Sequence, residues 1–103
     1  MRRVEYELRP LGNQKSFYGK AIMVHYPDES LVVLESYGTE ILAVKLNGSK
    51  ANSIKKLWDG YSYTTQKHIK SFCRMDKKAF EALPLGEWVD FSGYYQLVTS
   101  RNF

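Results

Sequence analysis

The chain has 103 residues, 44% hydrophobic and 25% charged, with a formal net charge of +4. That length and composition fit one globular domain over residues 1–103. A single cysteine, Cys73, excludes an intramolecular disulfide and a multi-cysteine zinc site. The longest aliphatic run, Leu31-Val32-Val33-Leu34, falls far short of the roughly 20 residues a membrane helix needs. Met1-Arg2-Arg3 leads into Val4-Glu5-Tyr6-Glu7 rather than an apolar leader, so a cytoplasmic protein without a membrane association is expected.

Elements follow in chain order. Residues 4–8 predict a first strand, ended by Pro10 and Gly12, and residues 13–19 a loop. Residues 20–26 are strand-like and stop at Pro27-Asp28-Glu29-Ser30, a composition suited to a type I turn. A strand over 31–36 is interrupted by Tyr37-Gly38. Residues 40–46 alternate and end at Asn47-Gly48, which readily takes the positive φ of a tight hairpin. Residues 54–58 are the return strand, and Asp59-Gly60 is a turn whose glycine is expected to supply positive φ. The period then changes. Thr64 or Thr65 is expected to cap a helix over 64–74, with Thr65, Ile69, Phe72 and Cys73 on one apolar stripe. Asp76 can cap a second short helix over 77–83, stopped by Pro84. Residues 94–99 are β-rich and can add a last strand. The expected fold class is α+β: an antiparallel meander of four to five strands with one or two short helices on one face.

Charge is segregated along this order. Between Lys45 and Lys78 there are nine basic and two acidic residues, a net +7, while the remainder carries six basic and nine acidic, a net −3. Such a field favours a polyanion or an acidic protein surface. Lys67, Lys70, Arg74 and Lys78 recur at i, i+3, i+7, i+11, a basic stripe, which Lys55, Lys56 and Lys77 can extend. Tyr61 and Tyr63, just before the helix, are placed to stack on unpaired bases, and lysines on one face can neutralise phosphates. Lysines are equally what the outer face of a half-buried helix needs for solvation.

Catalysis fares poorly. Cys73 and His68 lie five positions apart, about 140° around a helix, so they do not face each other as a nucleophile and base must. His25 and His68 could meet in space, yet two histidines without a spaced third ligand are a weak metal signal. No glycine-rich phosphate loop, His-Glu-x-x-His or Gly-x-Ser-x-Gly occurs. No catalytic residue, metal or cofactor is expected.

Three blocks resemble a known family: Lys15-Ser16-Phe17-Tyr18-Gly19-Lys20-Ala21, Ser36-Tyr37-Gly38-Thr39, and Trp58-Asp59-Gly60-Tyr61-Ser62-Tyr63-Thr64-Thr65 with His68-Ile69 and Phe72. The family is that of small uncharacterised proteins encoded by phages, prophages and plasmids of Gram-positive bacteria. The resemblance spans roughly residues 13–73 and is most specific in its last block. It implies a mobile-element setting and host cytoplasm, and carries over no catalytic or ligand residue. The chain departs from the family pattern over 47–53, where a longer hairpin loop is expected, and after Cys73. Small mobile-element proteins without catalytic residues often act by occupying a partner's surface. The expected function is therefore that of a non-enzymatic accessory protein binding a host macromolecule. Its sharpest form is an anti-CRISPR-like inhibitor of a nucleic-acid-guided or nucleic-acid-cutting defence enzyme. The alternative is a direct nucleic-acid-binding module using the basic helix face.

Overall fold

The computed structural model describes residues 2–11 and 16–96. Among them lie six strands and two α-helices: β1 (Val4–Glu7), β2 (Ala21–Tyr26), β3 (Leu31–Ser36), β4 (Thr39–Asn47), β5 (Lys50–Lys56), α1 (Tyr63–Cys73), α2 (Lys77–Ala82) and β6 (Trp88–Asp90). The strands form one antiparallel sheet in sequence order, β1-β2-β3-β4-β5-β6. The class is α+β as the patterning predicts, with more strands than four or five. The extra one is β6, three residues that become a strand by pairing with Ser53, Ile54 and Lys55. No helix is long and apolar enough to cross a membrane among the described residues.

Register explains the core. Met23, Leu34 and Leu42 sit side by side across β2, β3 and β4, and Leu42 is paired with Lys56 on β5. These residues point to the helix side, with Val32, Val44 and Ile54 in the next such row. Ile69, Phe72, Cys73 and Phe80 come down onto them from the helices. Each large side chain buried here contributes roughly 1.5–3 kcal/mol. A bulge makes Ile41 the extra residue between Leu42 and Glu40, so two consecutive side chains, Ile41 and Leu42, are both buried.

The hairpin after β4 is tight. Asn47 pairs with Lys50 across the two-residue turn Gly48-Ser49, and Gly48 takes a φ of 66°, as the first position of a II′ turn requires. The longer loop expected over 47–53 is thus corrected: residues 50–53 are strand, and their one irregularity is a bulge at Asn52.

The helices are stopped and started by side chains. Ser62, not Thr64 or Thr65, is the N-cap of α1, its hydroxyl accepting from Thr65 N–H at 3.3 Å. Asp76 caps α2, accepting from Ala79 N–H at 2.8 Å. Gly60 has no positive φ. A Cβ there would lie 2.5 Å from the Trp58 indole, so glycine is needed for the close approach of that ring. The expected strand over 94–99 is not formed at its described part. Gln96 N–H donates to the Phe72 carbonyl, while its side chain accepts from Arg9 N–H and donates to the Arg9 and Ser71 carbonyls. Residues 97–99 lie outside the described residues.

Candidate partner-binding face

Helix α1 separates two environments. At 100° per residue, Thr65, His68, Ile69, Phe72 and Cys73 share the arc that faces the sheet, and all are buried. Tyr63, Lys67, Lys70 and Arg74 share the opposite arc, and all are exposed.

The inner arc contains the thiol and imidazole that a catalytic reading would use. Ser36 Oγ lies 2.8 Å from His68 Nδ1 and 2.9 Å from Thr65 Oγ1. The third member of this chain is a hydroxyl, not a carboxylate, and among the described residues no anionic group holds the ring basic. Burial, followed by the charge of Lys67, lowers the His68 pKa to about 4, so at neutral pH the ring is an uncharged hydrogen-bonding strut between β3 and α1. Phe17 meets it edge-on at 4.5 Å. Burial pushes the Cys73 thiol up to about 12, and its Sγ faces the Ile69 carbonyl at 3.5 Å. Such a thiol is inert near neutral pH. His25 does not meet His68. Ser36, the partner of His68, pairs with Ala21, four residues along β2 from His25 or about 13 Å. No group of three or more His, Cys, Asp or Glu converges on a metal position among the described residues.

The outer arc holds the sequence-predicted cations and joins them to tyrosines. Lys67 Nζ lies 5.6 Å from the Tyr63 ring centre, Lys77 Nζ 4.5 Å from that of Tyr61, and the Arg74 guanidinium 4.5 Å from that of Tyr94. These are cation–π distances, and the three tyrosines, Tyr63, Tyr61 and Tyr94, are 70%, 53% and 45% exposed. Among the described residues no carboxylate lies within ion-pair distance of Lys67, Lys70 or Arg74, while Lys77 reaches Glu81 at 3.9 Å. Lys78 is exposed on α2. Lys67 and Lys70 border an open hollow of about 120 Å³ also lined by Leu11, Phe17 and Ser71.

Two predicted members leave this face. Lys56 is 3% exposed, with Nζ on the Phe80 carbonyl at 3.4 Å and on Asp59 at 3.2 Å. The strand period puts it on the helix side beside Leu42, where it joins β5 to the end of α2. Lys55, one residue earlier, points to the opposite side of the sheet and lies over Trp88 at 4.8 Å, as Lys45 does at 5.2 Å. The outer arc of α1 thus holds Tyr63, Lys67, Lys70 and Arg74, while Lys77, lying against Tyr61, and Lys78 belong to α2; α1 ends at Cys73, so the predicted stripe does not run on to Lys78. Tyr94 completes the face. Sequence reasoning missed that residue because its contact with Arg74 spans twenty positions.

A family model described as a family of unknown function (DUF8033) matches residues 6–90. The chain belongs to this family. The match takes in every strand but the first two residues of β1, and both helices. No curated protein and no solved structure matches significantly.

Proposed function

We propose that this protein is a non-enzymatic binding protein that engages a polyanion through the outer face of α1. The observation that carries this is the state of its cations. Lys67, Lys70 and Arg74 stand on one helical stripe without a carboxylate among the described residues, and two of them rest on exposed tyrosines. A ring holds a cation in position without neutralising it, so the full charge remains for a phosphate. Basic groups interleaved with aromatic faces suit nucleic acid better than an acidic protein surface, because every base offers a π-face. In the mobile-element setting that the sequence resemblance implies, the role is that of an accessory protein modulating a host macromolecule. A nucleic-acid-processing defence enzyme, approached through the nucleic acid it holds, is the sharpest form.

Fluorescence anisotropy with labelled DNA and RNA, single- and double-stranded, tests the reading across a salt series. Affinity is expected to fall log-linearly with salt, and the triple variant Lys67→Glu, Lys70→Glu, Arg74→Glu to lose binding with its melting temperature kept. Each lost contact should reduce the slope by roughly 0.7 on a single strand and 0.9 on a duplex. A folded triple variant that binds like the wild type overturns the assignment. A wild type that binds no nucleic acid but captures an acidic host protein shifts the partner class.

A further inference from the structure

Two turns carry a tyrosine where the backbone asks for asparagine or glycine. Tyr18 and Gly19 have φ of 54° and 77°, Tyr37 and Gly38 of 52° and 80°. Two successive positive φ angles mark a type I′ turn, whose first position is normally Asn, Asp or Gly. The first turn is closed by Lys20 N–H donating to the Phe17 carbonyl at 3.0 Å, the second by the pairing of Ser36 with Thr39. A bulky residue held at positive φ is strained. Burial does not offset that strain, because Tyr18 is 76% exposed and Tyr37 58%.

The two turns are joined. Tyr37 N–H donates to the Lys20 carbonyl at 2.8 Å, and both Phe17 and Tyr37 pack on the His68 ring, at 4.5 Å and 5.8 Å. Lys20 Nζ lies 5.6 Å from the Tyr37 ring centre. Phe17, the residue before Tyr18, lines one hollow with Lys67 and Lys70, so the first turn adjoins the cationic face. On the other side, the Glu7 carboxylate borders Gly19 and repels phosphate from that flank.

We propose that Tyr18 and Tyr37 form a stacking platform for unpaired nucleobases, with the phosphates of the same strand lying toward Lys20 and Lys67. The ligand class is then single-stranded nucleic acid, since the bases of a duplex already stack on one another. This rests on the polyanion-binding reading above and names its substrate class. Short, hydrogen-bonded turns fix the direction in which both side chains leave the backbone, and Lys20 and His68 flank the Tyr37 ring, which limits the ordering cost of the complex; strain at exposed positions is the kind stored at functional sites.

The test compares a labelled oligo(dT) with an abasic strand of equal length and charge, at one salt concentration, for the full chain. The wild type is expected to prefer oligo(dT) by about tenfold or more, the scale of one or two stacked bases. Tyr18→Asn and the double variant Tyr18→Asn, Tyr37→Asn should lose that preference and keep abasic-strand affinity. Tyr18→Asn should also melt no lower than the wild type, because asparagine suits the turn better, and a structural tyrosine would not behave so. Tyr18→Phe and Tyr37→Phe should retain the preference. Equal wild-type affinity for the two strands, or a preference that survives in the folded asparagine variants, overturns the platform while leaving the cationic face intact. Binding to neither strand overturns both.

Discussion

Both arcs of α1 carry aromatic and polar side chains, and the two put them to opposite uses. Facing the sheet, a histidine and a threonine each bond to the Ser36 hydroxyl, and the flanking Ile69 and Phe72 are buried. Facing solvent, tyrosine and lysine meet only as ring and cation, at 5.6 Å for Tyr63 and Lys67. Polar groups on the inner arc are satisfied and cannot change without cost to folding. Those on the outer arc have charge and ring area to spare, which is what a binding surface requires. Polarity alone does not separate the arcs; satisfaction does.

The comparison breaks most visibly at its apolar centre. Phe72→Asp or Ile69→Asp places an unpaired carboxylate against the sheet and should cost several kcal/mol, enough to unfold a domain of this size; unchanged melting temperatures would remove α1 from the core. Gly60→Ala must displace the Trp58 indole and should cost about 1–3 kcal/mol, read as a lower urea midpoint.

His68 sharpens the comparison through pH. Its folded pKa of about 4 lies below the ordinary 6.5, so between those values the unfolded chain binds the extra proton. Stability is therefore full above about pH 6.5 and declines as pH falls toward 4. The loss should be on the order of 2 kcal/mol once partial solvent screening is allowed for. Urea titrations of wild type and His68→Gln across pH 4–7 check this, the variant's profile being the flatter.

The smallest effects are expected at the margin of the two arcs. Cys73→Ala removes a small buried group and should cost about 1 kcal/mol with binding unchanged, measured by melting and by the oligonucleotide titration. Inactivity of a folded Cys73→Ala would reverse the inert assignment. Arg74 holds φ at 59° as the C-cap of α1, a glycine position. Arg74→Gly should therefore leave stability unchanged or raise it by up to about 1 kcal/mol, while weakening any polyanion contact.

Where local chemistry decides, the sequence was legible. The stripe of Thr65, Ile69, Phe72 and Cys73 predicted which arc of α1 is buried, Asp76 its neighbour's cap, and Asn47-Gly48 the place of the hairpin, though its turn is Gly48-Ser49. Where two residues offer the same chemistry, it was not: Ser62, Thr64 and Thr65 all bring a hydroxyl, and only the extended backbone at Ser62 selects the cap. Long-range pairing was also hidden. Trp88–Asp90 becomes a strand because β5 is beside it, and over the described residues 94–96 no strand forms, Gln96 turning its amide onto Arg9 and Ser71 instead. Lys56 was misplaced for a similar reason. Its neighbour Lys55 has the same charge, and only the pairing with Leu42 shows which of the two points inward. Tyr37-Gly38 was visible as a break between strands and Tyr18-Gly19 only as the end of a loop, and the strain of neither was visible.

The central claim is that the outer arc binds and the inner arc folds. A salt series of single-stranded oligonucleotide binding, run in parallel on wild type and on the Lys67→Glu, Lys70→Glu, Arg74→Glu variant, measures it most directly. The account predicts a steep negative slope for the wild type, lost binding in the variant, and melting temperatures that agree within a few degrees. A variant that keeps both the affinity and the slope would contradict it.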